Sequence, residues 1–367
     1  MEGEFVLEQL LSRLIETARE KFKGKSEDFE KRLIKRLPKT ILGANKVLRK
    51  TVLKTCITEI RKNKKREKEL AGTIANRYAS SLPYFEILIE FNLLITQGIY
   101  RKYYKLMTTH DDQLKLDVQI EIHARGCQIA SEIRLLVKNG YADGAHARWR
   151  SLHELCIIFL FLYDSDHIVT KMYLEYEVIE SWNKLKKYQD SYPKLGWRPI
   201  HEKQVKALEA QRSLLITQYG KEFSKSYGWT MSVLAPGERT IRGIEKHVGK
   251  DYLSGIYSWA SENVHAGISG NRKRLGLGRN SNKFLIGPTD QGLFDPIQFT
   301  SYSLIEMSNA LLFLEDSMMH TFYRELLEDL HDMLVKQMTI DEKSHRTSLR
   351  KNSKKRGSGM AKQILIL

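Results

Sequence analysis

The sequence predicts an all-α protein, a multi-helix bundle built on a central antiparallel helical hairpin. Apolar residues recur at intervals of three and four through most of the 367-residue chain, which is the spacing of amphipathic helices. Signals for β-strands are confined to a short stretch near residues 284–286. The hydrophobic content of 42% with a mean hydropathy of −0.41 is typical of a soluble globular chain. A chain of this length can bury a substantial core.

The predicted hairpin comprises residues 113–163. Apolar residues of its first arm recur at helical spacing up to Asn139-Gly140, a left-handed stop signal that ends helices. A second helix is expected to start near Asp143. The run Leu155 to Tyr163 is apolar on every side, so this part of the second arm is predicted to lie in the interior.

The region preceding the bundle, residues 1–80, is predicted to be helical and basic. Residues 21–69 contain 18 Lys and Arg but only 6 Asp and Glu, which concentrates much of the net charge of +16 in this flank. The basic run from Arg61 to Lys68 could bind a phosphate backbone, because its cations would release condensed counterions. The alternative is an ordinary solvated helix face.

The bundle domain is predicted to span residues 81–340. Helical spacing continues at residues 84–106, 172–185 and 201–219, and the longest periodic segment is 297–338. We expect this last segment to be a packing helix that could also form a homodimer. The tail, residues 341–367, has 8 Lys and Arg against 2 Asp and Glu, and is expected to be disordered.

Cysteine usage and hydropathy indicate a cytoplasmic protein. The three cysteines are widely spaced and none forms a CxxC pair, which suits a reducing compartment. No apolar run reaches the length of a membrane span, and the acidic start of the chain does not resemble a secretory signal. We therefore expect no membrane partner.

A polar stripe on the second arm supplies the first candidate site. Glu132 and Arg150 lie eight residues before and ten after Gly140, so they are predicted to pair across the hairpin. Glu154, four residues beyond Arg150, would extend the pair into a network. The alternative is a structural brace that fixes the hairpin register, since a buried ion pair alone is weak evidence of function.

The second candidate stretch is YLSGIYSWASENVHA, residues 252–266. In it Tyr257, Ser261 and His265 fall at i, i+4 and i+8, which places them on one helix face. A glycine-rich connection of about 30 residues follows, and connections of that length are uncommon unless they are functional or disordered. We predict an anion-binding lid in which the substrate contacts come from Tyr257, Ser261, Arg272, Lys273, Arg274 and Arg279.

Common catalytic motifs are absent from the sequence. It contains no GxxxxGK[ST], GxGxxG, GxSxG or HExxH, which disfavours nucleotide-hydrolysing and α/β-hydrolase machinery. A di-metal carboxylate bundle would need two inward Glu-x-x-His pairs. The candidates are Glu262 with His265, Glu328 with His331, and Glu342 with His345, but the second lies on an outer face and the third in the tail. We therefore predict no metal and no cofactor.

Metal-free acid–base chemistry is the remaining catalytic hypothesis. Cleavage of RNA needs a base for the ribose 2′-OH and a cation for the phosphorane. His153 and His265 would act as acid and base, Arg150 or Arg148 would stabilise the phosphate, and Glu132 and Glu154 would orient the arginines.

Two family resemblances accompany these residues. The first pattern looks like an uncharacterised bacterial family known only as a domain of unknown function, and covers about residues 114–326. Its residues are Glu132, Gly140-Tyr141-x-x-Gly144-Ala145-x-x-x-Trp149-Arg150-x-Leu152-x-Glu154 and Ser261-x-x-Val264-His265.

The second pattern, Arg148-x4-His153, is similar to the motif of the HEPN superfamily, the helical-bundle ribonucleases of toxin–antitoxin, CRISPR and abortive-infection systems. That resemblance implies a four-helix bundle, often dimeric, with metal-independent RNA cleavage by Arg148 and His153. The chain departs from the motif at Trp149, where the family usually has Asn, Asp or His. Arg150 also shares the face of His153, so both arginines remain candidates.

The functional prediction is a metal-independent endoribonuclease effector of a bacterial defence or toxin system, with RNA as the preferred nucleic-acid partner. The alternative is a non-catalytic helical adaptor that binds nucleic acid or protein through its basic flanks.

Overall fold

Helices form the regular structure throughout the part of the chain that the structure describes, as the apolar periodicity predicts. The computed structural model describes residues 16, 19, 20, 26–265, 267–277, 285–315 and 317–355, of which 26–48, 51 and 346–355 are described by their backbone alone. The α-helices are α1 Ser26–Arg77, α2 Leu82–Tyr103, α3 His110–Lys138, α4 Ala142–Asp164, α5 His167–Ser191, α6 Glu202–Tyr219, α7 Ile241–His247, α8 Ser254–Glu262, α9 Ile268–Arg272, α10 Phe294–Leu312 and α11 Met318–Lys355. Short 3-10 turns are Lys221–Ser224, Gly228–Thr230, Pro236–Glu238, Asp251–Leu253 and Leu275–Leu277.

The chain divides into two units, residues 1–68 and 69–367. In the first unit, every described side chain from Arg49 to Lys68 is exposed, apolar ones included. The second unit contains the bundle and all of the candidate site residues that the structure describes.

The central hairpin is confirmed as α3 and α4. Thr109 begins α3, because its side-chain oxygen accepts a hydrogen bond from the Asp112 amide at 3.1 Å. The helix ends at Asn139, and Gly140 has the positive φ of +81° that lets the chain reverse. A Cβ at Gly140 would lie 2.5 Å from the carbonyl oxygen of Thr289, so this turn requires glycine for space as well.

The core lies where α3 and α4 pack against each other and against α10, with α2 packed on α3 and α10, and α11 packed on α2 and α10. Trp149, Phe159 and Phe161 of α4 are fully buried, which confirms that the apolar half of the second arm is interior. The indole nitrogen of Trp149 donates to the carbonyl oxygen of Phe299 at 2.9 Å, and this satisfies the polar end of the largest core side chain.

A polar network also lies within this core. The two ring nitrogens of the fully buried His123 contact the hydroxyls of Thr96 at 2.6 Å and Ser308 at 2.8 Å. Ser308 in turn donates to the side-chain carbonyl of Asn92 at 2.6 Å. Burial lowers the pKa of His123 to about 4, so the ring is neutral at pH 7 and ties α2, α3 and α10 together without a buried charge.

The predicted helix 297–338 is instead two helices, α10 and α11, separated at residues 313–317. The tail also differs from the expectation, since it is helical as far as Lys355. Its start is held by buried partners: the guanidinium of Arg77 bonds Glu342 at 2.7 Å, and the hydroxyl of Ser81 donates to Asp341 at 2.7 Å. Contacts between residues so far apart in the sequence cannot be predicted from local charge patterns.

Among the described residues, no helix has both the length and the apolar character that crossing a bilayer requires.

Candidate functional site

A polar strip runs along one face of α4. Asp143, Ala147, Arg150 and Glu154 lie at i, i+4, i+7 and i+11, which places them on the same side over about 16 Å. Helix α8 lies against this face with the opposite chain direction, because Tyr257 contacts Arg150 and Glu154 whereas the later residue Asn263 contacts the N-terminal end of α4.

Arg150, Glu154 and Tyr257 form one end of the strip. The guanidinium donates to the Tyr257 oxygen at 2.9 Å and to Glu154 at 2.8 Å, and it lies 5.1 Å from the centre of the tyrosine ring. Tyr257 donates to the same carboxylate at 2.5 Å. Burial, and then the bond to Glu154, raise the pKa of Tyr257 to about 12, so the phenol stays protonated. The predicted Arg150–Glu154 pair is therefore present.

The other end of the strip opens into a cleft of about 400 Å³ between the first turn of α4 and residues 262–274. Its polar lining comes from Asp143, Glu262, Asn263, His265, Asn271 and Arg274. His265 and Asn271 are exposed, so the cleft is accessible to solvent. The cleft places a carboxylate, an imidazole and a guanidinium around one space.

The wall of the cleft is fixed by Asp143. Its two carboxylate oxygens accept hydrogen bonds from the Arg274 side chain at 3.0 Å and from the Leu275 amide at 2.7 Å. Arg274 also donates to the carbonyl of Leu285 at 3.0 Å. Gly270 allows the opposite wall to approach, because a Cβ there would lie 2.0 Å from the carbonyl oxygen of Glu262.

His146 lies below the cleft. It is fully buried, stacks on Trp149 with 5.6 Å between ring centres, and meets the edge of Trp259 at 5.4 Å. Its Nδ1 accepts a bond of 3.4 Å from Asn263, whereas its buried Nε2 has no hydrogen-bond partner. Burial lowers the pKa of His146 to about 4. The neutral ring therefore orients Asn263, a residue of the cleft lining.

His153 does not share this cleft. Its side chain is 2% exposed, and its Nε2 lies 2.7 Å from a carboxylate oxygen of Glu245, which is equally buried. The hydroxyl of Ser254 donates to the second oxygen of Glu245 at 3.0 Å. The expectation that His153 and His265 line one solvent-accessible pocket is therefore wrong. His153 instead holds α7 and α8 against α4.

The predicted pairing of Glu132 with Arg150 is also wrong. Glu132 accepts a short hydrogen bond from Arg148, with Arg125 at 3.7 Å, rather than pairing with Arg150. Arg148 and Arg150 are two residues apart, or about 200° around the helix, so they point to opposite sides of α4. Arg148 is therefore separated from both His153 and the cleft, and with Glu132 it braces the hairpin.

The other predicted substrate-binding residues differ in their exposure and position. The hydroxyl of Ser261 donates to the carbonyl of Tyr257 at 2.8 Å and is half-buried. Arg272 and Lys273 are exposed near the cleft, and Arg279 lies outside the described residues. Within the described parts of the chain, no three His, Cys, Asp or Glu side chains are placed to hold a metal ion.

Four residues of the arrangement were missed from sequence. Asp143 was recognised only as a helix start, although an acidic residue in a first turn also has free carboxylate oxygens to anchor a loop. Asn263 and Asn271 flank His265 without any motif. Glu245 lies in the seven-residue helix α7, 92 residues from His153, and no local pattern connects them.

Comparison with known proteins finds a family match for part of the chain. Residues 116–284 match a family of unknown function, DUF5677. The match runs from within α3 into the glycine-rich connection, so it includes most of the hairpin, α8 and the whole cleft. No curated protein and no solved structure matches the chain, and the comparisons give no support to the HEPN resemblance.

Proposed function

We propose that this protein is a metal-independent endoribonuclease whose reaction takes place in the cleft between α4 and residues 262–274. One observation supports this most: Glu262, His265 and Arg274 line the same solvent-accessible space. A carboxylate, an imidazole and a guanidinium are sufficient to move two protons and to stabilise a phosphorane. The residues differ from those expected from sequence, because Glu262 takes the role assigned to the sealed His153.

The reaction follows from these groups. The Glu262 carboxylate takes the proton of the ribose 2′-OH as that oxygen forms a bond to phosphorus. Protonated His265 gives a proton to the departing 5′ oxygen as the P–O5′ bond breaks. The products are a 2′,3′-cyclic phosphate and a 5′-hydroxyl end. Arg274 stabilises the charge on the phosphorane while Asp143 holds its guanidinium in place.

Cations beside the cleft supply binding. Arg272 and Lys273 are exposed next to the cleft residues Asn271 and Arg274, where they can neutralise neighbouring phosphates.

The test is RNA cleavage in EDTA. Wild-type protein should produce cyclic phosphate ends, and His265→Ala and Glu262→Gln should each lower the rate on the order of 10²–10⁴-fold. His110→Ala and Glu238→Gln change exposed residues outside the cleft and serve as matched controls. A substrate with 2′-deoxyribose at every position should resist cleavage. Equal activity in wild type and both cleft variants would refute the proposal.

A role as a defence or toxin effector belongs to the same proposal. It predicts that expression in a bacterium arrests growth and fragments RNA, and that His265→Ala relieves both effects. Growth arrest that persists in His265→Ala would assign the toxicity to another part of the chain.

The second candidate is a non-catalytic nucleic-acid-binding protein. The exposed segment 49–68 favours it, since it carries nine Lys and Arg against two Glu. It predicts binding that weakens steeply with salt, and that fails when Arg61, Lys64, Arg66 and Lys68 are changed to Gln. His265→Ala should leave that binding unchanged. RNA cleavage that needs Glu262 and His265 would rule out this reading as the whole function.

A further inference from the structure

An exposed group of aromatic rings lies where α5 connects to α6. Tyr188 stacks on Tyr192 with 6.2 Å between ring centres and on Trp197 with 5.9 Å, and the ring planes differ by 20° and 26°. We call these three residues the aromatic platform. Trp197 is 59% exposed, whereas the other four tryptophans of the chain are buried or half-buried. Most of its indole is therefore in water and contributes little to the core.

Side chains of α5 hold the connection, residues 192–201, in place. The hydroxyl of Tyr188 donates to the carbonyl oxygen of Arg198 at 2.8 Å. The side chain of Gln189 bonds both backbone groups of Ile200, because it donates to the carbonyl at 3.4 Å and accepts from the amide at 3.3 Å. These bonds fix the chain on the C-terminal side of Trp197, so the ring is positioned before a ligand binds.

The surface around the platform is strongly basic. Residues 184–206 contain seven Lys and Arg against two acidic residues, Asp190 and Glu202. All seven cations are exposed, and those with no carboxylate partner among the described residues are Lys187, Lys194, Arg198 and Lys203. This charge is complementary to an anionic partner.

The arrangement of rings and cations indicates which anion. Lys184, Tyr188 and Tyr192 lie at i, i+4 and i+8, so the cations extend about 12 Å back from the rings along one face of α5. Membrane-binding segments need a broad apolar face, whereas Leu195 is the one exposed Leu, Ile or Val of the connection. Near-parallel rings beside a line of cations match a strand that has both planar bases and phosphates.

We infer that the aromatic platform binds single-stranded nucleic acid. Bases stack on Trp197 and Tyr192, and the unpaired cations Lys187, Lys194 and Arg198 contact phosphates. The contacts use base faces and phosphates, so ribose and deoxyribose strands bind alike, and a duplex, in which the base faces are stacked on each other, binds weakly. The inference does not depend on cleavage in the cleft between α4 and residues 262–274, because it concerns binding alone.

The first experiment measures binding of oligodeoxythymidylate, which the proposed reaction cannot cleave, to the full-length protein. Wild-type protein should bind it with quenching of tryptophan fluorescence. Trp197→Ala should weaken the affinity on the order of 10- to 100-fold, whereas Trp197→Phe should retain most of the affinity but lose the quenching. Phe322→Ala, at a 56% exposed phenylalanine of α11, is the matched control and should bind as wild type does. Equal affinities of wild type and Trp197→Ala would overturn the inference.

The second experiment measures the salt dependence of the same binding. Changing Lys187, Lys194 and Arg198 together to Gln should lower the slope of log affinity against log salt by about 2, since each phosphate contact on a single strand contributes about 0.7. The matched control changes three exposed lysines elsewhere, Lys105, Lys171 and Lys246, and should leave the slope unchanged. An unchanged slope in the first variant would remove these cations from the site.

Other partners give different results. Equal affinity for a blunt DNA duplex would exclude base stacking. Binding to phosphatidylserine-containing vesicles without binding to oligodeoxythymidylate would make the platform a lipid site. Loss of the quenching when Arg61, Lys64, Arg66 and Lys68 are changed to Gln would place the strand on the exposed segment 49–68. Each of these outcomes overturns the inference, whereas failure of RNA cleavage with intact oligodeoxythymidylate binding would refute the cleft proposal alone.

Discussion

At the scale of single residues, the positions of four charged or ionisable side chains of α4 separate structure from chemistry. Arg148 and His153 form the Arg-x4-His motif of the sequence. Each has a structural partner, because Arg148 pairs with Glu132 of α3 and His153 contacts Glu245 of α7. Arg150 and Glu154, by contrast, lie on the face that continues into the cleft. Which side of α4 a residue occupies therefore decides its role, and a spacing of five residues does not place two side chains on the same side.

We expect His153→Ala to destabilise the fold. The substitution leaves the buried carboxyl group of Glu245 with Ser254 as its remaining hydrogen-bond partner among the described residues, and a buried polar group that loses a hydrogen-bond partner costs about 1–3 kcal/mol. Denaturant unfolding measures the change. His110→Ala, at an exposed residue, should stay within about 0.5 kcal/mol of wild type.

The double variant His153→Leu with Glu245→Leu separates pairing from packing. It should lose less stability than the two single changes added together, because no buried polar group is left without its partner. Additive losses would show that the two residues do not depend on each other.

At the scale of helices, the connection between the start of the bundle and α11 explains why the tail is ordered beyond its predicted start. Arg77 is 4% exposed and bonds both Asp290 and Glu342, and Tyr78 donates a short hydrogen bond to the same glutamate. Burial, and then the contact with Glu342, raise the pKa of Tyr78 well above its usual range, so it acts as a donor at any physiological pH.

Truncation can test this connection. A chain that ends after Ile340 loses Asp341 and Glu342 and leaves Arg77 with Asp290 as its carboxylate partner among the described residues. We therefore expect a loss of about 3 kcal/mol or more in the free energy of unfolding. A chain that ends after His345 keeps both carboxylates and should unfold near the wild-type denaturant concentration. Equal stabilities for the two truncations would show that the pairs contribute nothing.

Sequence reasoning predicted the elements better than their ends and contacts. The hairpin was predictable because periodicity, the Asn-Gly stop and the apolar run are local signals that agree with one another. The break between α10 and α11 was missed because Phe313 and Leu314 continue the apolar pattern across it. Whether Glu132 pairs with Arg148 or with Arg150 depends on a rotation of two residues around α4. The average rise per residue along a hairpin does not distinguish the two arginines.

At the scale of the whole molecule, two buried histidines contribute to how the fold responds to acid. Burial lowers the pKa of both His123 and His146 to about 4. The unfolded chain therefore binds more protons than the folded one between about pH 6.5 and 4, and the free energy of unfolding falls as the pH is lowered through this window. The loss can reach about 3 kcal/mol for each group once the pH is below both values.

Denaturant unfolding at pH 7 and pH 4.5 measures this effect. Carboxylates contribute to acid sensitivity as well, so the informative quantity is the difference between wild type and His123→Gln. The variant should be less stable at pH 7, because it disturbs the bonds to Thr96 and Ser308, and its stability should fall less between the two pH values. An identical fall in both proteins would exclude His123 as a source of the acid sensitivity.

The bond between Arg77 and Glu342 joins positions 265 residues apart, and this has a consequence for biosynthesis. At about 5–20 residues per second, a ribosome needs roughly 13–53 s to reach the glutamate after it has made the arginine. During that interval the Arg77 guanidinium can pair with Asp290, which is made earlier, but it lacks the second carboxylate that the folded protein provides. Emergence of Glu342, rather than emergence of the hairpin, is therefore the step at which the second unit can close.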